Sequence, residues 1–346
     1  MYKEIMEKIT NRQELSETEI SALIAGISEG TVSDIQIAGF QVALLMKGAS
    51  LKETAYIAKA MRDNCVPLKP SLKSAGKELM DTCGTGGGLS TFNISTATAI
   101  VAAAAGIPVA KHGSRSIASL SGSADVLEAL GVNIHLQPRE AEKMIEEIGI
   151  AFLYAPLFHP VMGKVLPPEQ DLGIKTIFYS IIGPLINPAF ASRHLLGVYK
   201  PELLDTVTYV AKELGYTNAM FVHGLDGLDE ISLLGKTKIN HLRNGEINVI
   251  EIEPEDFGLT RCTLSDIKTG TPDVNAATIN GVFSGEIKGA RRDAVVLNAA
   301  GALIVGGKSA DFKTGINLAC ELIDGGGAAK KLLELKEMSN SFGRFA

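Results

Sequence analysis

The stretch ELMDTCGTGGGLSTFNISTATAIVAAAAGIPVAKHG, residues 78–113, decides the fold. Glu78-Leu79-Met80-Asp81 reads as a short strand that runs into the glycine-rich segment 84–88. Asn93-Ile94-Ser95-Thr96 opens an apolar helix, and 107–110 reads as a buried strand. Strand, glycine turn, helix and strand in this order are the start of an alternating α/β chain with a parallel sheet.

Reading outward from this unit, the alternation continues. Periodicity predicts a helix at 123–130, a strand at 132–136, a helix at 138–148 and a strand at 150–155. A helix at 201–214 and a strand at 217–223 follow, then β-like turns and alternation over 231–252. Helices are expected at 291–304, 309–323 and 328–337. Residues 1–62 are different, because they read as helix throughout. Ser16 followed three residues later by Glu19 is a capping-box pattern, and Ile20, Leu23, Ile24 and Ile27 fall on one helical face. Ser33-Asp34 opens a helix with Ile35, Ala38, Val42 and Leu45 on one face, and 51–61 is a further helix. The segment 65–74, with Pro67 and Pro70, reads as a linker.

Composition narrows the class. The chain has 346 residues with 33 basic and 39 acidic side chains, a formal net charge of −6 that argues against a nucleic-acid binder. Hydrophobic residues at 46% and charged residues at 21% exclude a disordered chain. Cys65, Cys83, Cys262 and Cys320 form no Cys-x-x-Cys pair, which excludes a recognisable zinc or redox motif and fits a reducing compartment. The charged start lacks an apolar signal region, and the apolar run 96–110 is too short to span a membrane and is broken by Gly106 and Pro108. A cytoplasmic protein without membrane or nucleic-acid partners is expected.

Three segments carry candidate chemistry. In the first, Gly84-Thr85-Gly86-Gly87-Gly88 lets backbone N–H groups approach a phosphate, and the helix beginning at Asn93 adds unpaired donors and partial positive charge. Ser95 and Thr96 can offer hydroxyls to a phosphate or to Mg²⁺. In the second, Lys111-His112-Gly113-Ser114-Arg115-Ser116 follows a parallel strand, where open α/β sheets bind ligands. Lys111 and Arg115 are two cations suited to phosphate oxygens, and Ser119, Ser121 and Ser123 crowd hydroxyls into the same loop. In the third, Asp229-Glu230 pairs two carboxylates that are hard oxygen ligands for Mg²⁺. Taken singly, each segment also reads as an ordinary polar turn.

Taken together, GTGG at 84–87, TFNIST at 91–96, VAKHG at 109–113, SGSADVLEALGV at 121–132, GPLINP at 183–188 and GLDEIS at 227–232 resemble the anthranilate phosphoribosyltransferase family. The resemblance implies an α/β fold with a small all-helical N-terminal domain and a larger α/β domain with a central, mostly parallel sheet. The helical domain would comprise 1–70, joined by helices from about 163–192, and the α/β domain 75–160 and 193–346. It implies a homodimer through the helical domains and a cleft between the domains. The implied reaction moves 5-phosphoribosyl from phosphoribosyl pyrophosphate (PRPP) to an aromatic acceptor, releasing pyrophosphate, with Mg²⁺ as cofactor and no covalent catalytic residue. Such chemistry needs preorganised donors and cations where negative charge collects on the leaving group. The implied PRPP contacts are Gly84, Thr85, Gly86, Gly87, Thr91, Asn93, Ile94, Ser95, Thr96, Lys111, His112, Gly113, Arg115, Ser119 and Ser123, with Ser95, Asp229 and Glu230 on Mg²⁺.

The acceptor half departs from the family's pattern. The aspartate usual after GTGG is missing, Ser114 replaces the asparagine of KHGN, and Tyr179 replaces the asparagine of Phe-Asn. Glu169 stands where the family has an arginine for the anthranilate carboxylate. Ser114, His159, Glu169 and Tyr179 are therefore the expected acceptor contacts, with Lys175 and Arg193 as the nearest replacement cations. Anthranilate, within tryptophan biosynthesis, is the first acceptor to expect. A phenol or amine lacking the carboxylate is the alternative if Glu169 faces the pocket. A pyrimidine nucleoside phosphorylase-like enzyme and a non-catalytic binding protein are the remaining readings.

Overall fold

The computed structural model describes residues 1–72, 78–116 and 119–343; the expected start of the α/β segment at 75 lies outside them, as does the end of the linker. Four helices open the chain: α1 (Tyr2–Thr10), α2 (Glu17–Glu29), α3 (Asp34–Lys47) and α4 (Leu51–Asp63). Capping boxes start three of them, Ser16 with Glu19, Ser33 with Gln36 and Ser50 with Glu53. Each N-cap satisfies donors that the first turn leaves unpaired, at about 1 kcal/mol per cap.

Helix α3 turns the opposite way from its expected face. Ile37, Phe40, Gln41 and Leu44 are buried, whereas Ile35, Val42, Leu45 and Met46 are exposed, Ile35 by 85% and Met46 by 75%. Both faces are apolar enough that sequence periodicity does not choose between them.

The sheet comprises β1 (Met80–Gly84), β2 (Val109–Gly113), β3 (Ile150–Tyr154), β4 (Arg193–Gly197), β5 (Asn218–Gly224), β6 (Thr237–Arg243) and β7 (Glu246–Ile252). Their order is β3-β2-β1-β4-β5-β6-β7, parallel through β5 and antiparallel beyond. The β6–β7 turn is Asn244-Gly245, both at positive φ (51° and 82°), as a two-residue hairpin turn requires. Between strands lie α5 (Ile94–Ala104), α6 (Ser123–Ala129), α7 (Pro138–Ile148), α8 (Ala155–Phe158) and α9 (Met162–Leu172).

Segment 132–136 corrects an expected strand. Val132, Ile134 and Leu136 are buried in alternation, but Asn133 gives its backbone N–H to the Ser339 hydroxyl (3.0 Å) instead of to a neighbouring strand. The central strand β4 and the helix Pro272–Ser284 were not among the expected elements, and Met162–Leu172 was expected only through the resemblance, as part of the helices from about 163–192. β4 is five residues long, and α9 contains Pro167 and Pro168, so each carries a weak local signal.

Two apolar clusters form the core. One packs α5, α6, α7 and the C-terminal helices Ala290–Val305, Phe312–Asp324 and Gly327–Ser341 on one side of the sheet. The other joins Ile5–Met61 positions of α1–α4 to Val161, Val165, Phe178, Ile181, Ile182 and Leu185, and to the other sheet face through Leu196 and Phe221. Within the helical part, Lys47 and Glu53 are an ion pair at 2.5 Å, with side chains only 6% and 0% exposed. Burial pushes the Glu53 carboxyl up, but Lys47 and the backbone N–H groups of Ser50 and Leu15 outweigh it and hold its pKa below the usual value. Among the described residues no helix is long and apolar enough to cross a membrane.

Candidate active site

The C-terminal ends of β1, β2, β4 and β5 converge on the glycine run, the position where parallel sheets present ligand sites. Register explains the convergence, since Gly84 pairs with Gly197 and Gly197 with Val222. The loop after β5 carries Asp229 directly over this junction. A Cβ at Gly197 would overlap the Asp229 carbonyl, and one at Gly84 would overlap its carboxylate. Glycine is required at both because backbone and carboxylate meet there. The Gly86 N–H donates to Asp229 Oδ2 at 2.9 Å, so the carboxylate holds the glycine loop directly.

Burial raises the Asp229 carboxyl pKa, and burial plus the adjacent Asp229 pushes Glu230 well above its usual value. The Lys111 ammonium offsets part of this at Glu230, but neither carboxylate forms an ion pair among the described residues, and a hard divalent cation would neutralise them further. The donor set therefore fits Mg²⁺. Ser95, half-buried in the first turn of α5, is joined to β1 when the Thr82 hydroxyl donates to its carbonyl at 3.0 Å.

Within the loop, the glycines leave the backbone open while several side chains bind other parts of the protein. Gly86 and Gly87 have φ of 66° and 90°, and Gly87 lies against the Tyr199 ring. Thr85 is structural: its N–H donates to Gly197 O (2.9 Å) and its hydroxyl accepts from Tyr199 N–H (3.1 Å). Thr91 bridges to Lys268. Asn93 is fixed from three sides: its Nδ2 donates to Ser121 O (3.1 Å), and its Oδ1 accepts from the Ser121 hydroxyl (3.1 Å) and from Asn275 Nδ2 (2.9 Å). The Ile94 side chain is 1% exposed and belongs to the core, so only its backbone, at the start of α5, is near the loop. The Thr96 side chain is buried, with its hydroxyl oxygen unpartnered.

In the second segment the two cations expected to suit phosphate oxygens are both held by protein partners. Lys111 is 2% exposed and donates to Thr82 O at 2.6 Å, which pins β1 beneath the loop; burial lowers its pKa. Arg115 is committed to Asp125 (2.9 Å) and Glu128 (2.5 Å), so it orders the loop instead of offering an open charge. Asp125 also accepts from the backbone N–H groups of Ser116 and Gly122. Ser114 gives its carbonyl to Ala124 N–H, Ser119 shares a hydroxyl bond with Ser116 (2.6 Å), and Gly113 lies close against Ser123. His112 gives its backbone N–H to Asp81 Oδ1 (3.1 Å), while its ring packs edge-on against His159 with centroids 4.8 Å apart. The His112 Nε2 and both His159 nitrogens are buried without partners. Burial pushes the His112 pKa well below its usual value and that of His159 to about 4, so both rings are neutral near pH 7.

Glu169, expected among the acceptor contacts, is buried. It is 3% exposed, and Oε1 accepts from the Thr176 hydroxyl and from Gln41 Nε2 (3.2 Å) inside the helical part. A buried carboxyl requires such partners, so it is not a free charge in the cleft. Tyr179 does face the loop: its hydroxyl lies 4.0 Å from the Cβ position of Gly86, and Lys175 Nζ sits 5.5 Å above its ring centroid. Arg193 is bound to Glu78 (2.8 Å) at the far end of β4, away from the cleft.

Sequence reasoning quoted Asp81 and Asn187 within its segments without giving either a role, and it did not flag Tyr199 or Asn275. Asp81 accepts from Thr82 N–H, His112 N–H and Asn187 Nδ2 (2.7 Å), and Asn187 also donates to Ala110 O (2.7 Å), so one carboxylate ties β1, β2 and the GPLINP segment together. Tyr199 walls the glycine run, and Asn275 bridges Asn93 to the backbone of Gly270 (2.8 Å). Asp81 and Asn187 lie inside segments already quoted from the sequence, 78–113 and GPLINP; Asn275 lies in a helix with no such flag.

A helical bundle beside an α/β sheet, with an anion-binding loop over two carboxylates, defines a two-domain group-transfer enzyme. Residues 3–65 match the helical bundle domain of the glycosyl transferase family and residues 76–329 its a/b domain. The chain belongs to the anthranilate phosphoribosyltransferase family of these enzymes. It is 46% identical to the anthranilate phosphoribosyltransferase of Acetivibrio thermocellus, covering 99% of this chain and 98% of that one. The crystal structure of the Thermus thermophilus enzyme superposes with a TM-score of 0.89 at 37% identity, covering 97% of this chain and 99% of that one. The Saccharomyces cerevisiae enzyme in complex with PRPP and Mg gives a TM-score of 0.89 at 28% identity, covering 98% of each chain. Its complex with 4-fluoroanthranilate gives 0.86 at 27%, covering 99% of each.

Proposed function

We propose that the protein transfers 5-phosphoribosyl from PRPP to the amine of anthranilate in tryptophan biosynthesis, releasing pyrophosphate. The observation that carries this reading is the Asp229–Gly86 contact: two adjacent buried carboxylates, only partly offset by Lys111, are held against the backbone of the glycine loop. In the relatives named above, the same fold holds PRPP with Mg and a fluorinated anthranilate. The phosphorylase-like and non-catalytic readings have no such support.

Asp229, Glu230 and Ser95 would hold Mg²⁺, which supplies charge neutralisation for the departing pyrophosphate. The N–H groups of 84–88 and the start of α5 bind phosphate oxygens, and Asn93 keeps the helix start in place through Ser121 and Asn275. Thr85, Asp81 and Lys111 act by positioning, since each holds one strand end against another. The neutral rings of His112 and His159 offer unpartnered nitrogens to a small aromatic amine without adding charge. With Glu169 turned inward, we assign the acceptor carboxylate to Lys175, which is exposed beside Tyr179 and has no carboxylate partner among the described residues.

The exposed Ile35, Val42, Leu45 and Met46 of α3 support a homodimer through the helical part. The apolar cluster shared by 5–61 and 161–186 supports reading 1–70 and 163–192 as one domain. Four unpaired cysteines support a cytoplasmic setting.

The test is anthranilate consumption in the presence of PRPP and Mg²⁺, with pyrophosphate measured as co-product. Turnover abolished by chelation of the metal is the expected result. Anthranilate left unused alongside release of pyrophosphate to another aromatic amine or phenol would replace the acceptor assignment. In a Lys175→Ala variant the KM for anthranilate should rise about tenfold or more while that for PRPP holds, the loss of one charge-assisted bond.

A further inference from the structure

The active cleft lies at the C-terminal ends of the parallel strands, yet a separate cavity of about 480 Å³ opens at their N-terminal ends. Its size falls within the ~300–1,000 Å³ of small-molecule sites. Its lining includes Arg193 at the start of β4, Asn218 at the start of β5, Arg243 at the end of β6, and Lys308 and Ser309 just after the helix Ala290–Val305.

The charges on this wall are unbalanced. Arg193 is satisfied by Glu78, through Nε at 3.0 Å and Nη2 at 2.8 Å. Arg243 and Lys308 form no ion pair among the described residues. Two unpaired cations thus face one concavity on a chain of net charge −6. Gly307 keeps that concavity open, since its φ is 72° and a Cβ there would stand 3.0 Å from Arg193 Nη1. The neighbouring polar groups are largely satisfied: Asn218 Nδ2 donates to Val305 O at 2.9 Å, its Oδ1 is 2.8 Å from His241 Nε2, and the Thr217 hydroxyl donates to Glu78 at 2.6 Å. What remains unmet is positive charge, carried by one planar guanidinium fork and one ammonium.

We propose that this cavity is a second binding site, for a small organic anion carrying several carboxylate or phosphate oxygens, held between Arg243 and Lys308. None of its cations belongs to the PRPP, metal or acceptor contacts. The site is nevertheless connected to them, because β1 and β4 pair from Met80–Arg193 at the cavity to Gly84–Gly197 at the glycine run. The two ends are separated by about 13 Å of strand at ~3.3 Å per residue.

Calorimetric titration of citrate and, separately, of inorganic phosphate into the metal-free full-length protein tests the site and distinguishes carboxylate from phosphate ligands. Three proteins are compared: the natural chain, Ser95→Asp, which puts a negative charge in the first turn of α5 beside the glycine run, and Arg243→Ala with Lys308→Ala. Binding of at least one of the two anions should survive Ser95→Asp within about twofold and weaken at least tenfold in the double variant. The double variant should retain the melting temperature and the turnover at saturating substrates of the natural chain. If it does not fold, Lys308→Glu at this exposed position should weaken binding to the same extent. Loss of anion binding in Ser95→Asp alone would place the anion in the PRPP cleft and overturn the proposal. Equal affinity in all three proteins, or no binding of either anion to the natural chain, would overturn it as well.

Discussion

Asp229→Asn separates the two tasks given to one carboxylate. Oδ2 accepts the Gly86 N–H at 2.9 Å and fills the space left by the missing side chain of Gly84. An asparagine amide oxygen can take that position, so the bond survives as a neutral one. Its contribution then falls from about 1.5–3 to about 0.5–1.5 kcal/mol, a loss of about 1 kcal/mol in loop order. Removing one of two adjacent hard oxygen ligands weakens the Mg²⁺ site in addition. Together these should lower kcat/KM for PRPP about a hundredfold, equivalent to about 2.7 kcal/mol. Because burial disfavours the Asp229 charge, the neutral variant should melt at or slightly above the natural temperature. The assay is initial-rate kinetics over a range of Mg²⁺ concentrations at fixed PRPP, beside a thermal melt. A kcat/KM within threefold of the natural enzyme at every Mg²⁺ concentration, in a protein with native melting, would refute both the metal role and the loop role of Asp229.

Three further outcomes are expected. Lys47→Ala strips the cation from buried Glu53 and should cost about 3–5 kcal/mol, read as a lowered midpoint in chemical denaturation; since the folded Glu53 pKa is depressed, its stabilisation is complete above the unfolded value of about 4.3 and fades as pH falls through the lower folded value, so the natural protein should lose stability below about pH 4 more steeply than the variant. Glu169→Gln keeps an acceptor for Thr176 and Gln41 and removes a buried charge, so melting should hold or rise and the KM for anthranilate should change less than threefold, whereas Glu169→Arg should destabilise by burying a guanidinium. Met46→Asp should give a monomer in light scattering while circular dichroism stays native, because Met46 is 75% exposed and holds no part of the core; a dimer of unchanged affinity would remove α3 from the interface.

The order of elements and the ligand chemistry were legible in the sequence because both are local. A capping box is written in four adjacent residues, as at Ser16–Glu19. The strand, glycine run and helix start of 80–96 were readable as a candidate phosphate loop from residue types that permit close backbone approach. The pairing of Asp229 with that cradle followed from resemblance, not from spacing, since the two segments are 143 residues apart. Tertiary structure decided where each charge points. Lys111 and Arg115 read alike as cations suited to phosphate oxygens, but one is buried against Thr82 O and the other is held by Asp125 and Glu128. Glu169 read as a pocket carboxylate, but Thr176 and Gln41, the latter on a distant helix, draw it inward. The same holds for 132–136, whose alternation fits a strand while Ser339 takes the N–H that a neighbouring strand would have taken. Sequence specifies which groups must find partners; which partner each one finds depends on segments brought together only when the sheet and the helical bundle have closed.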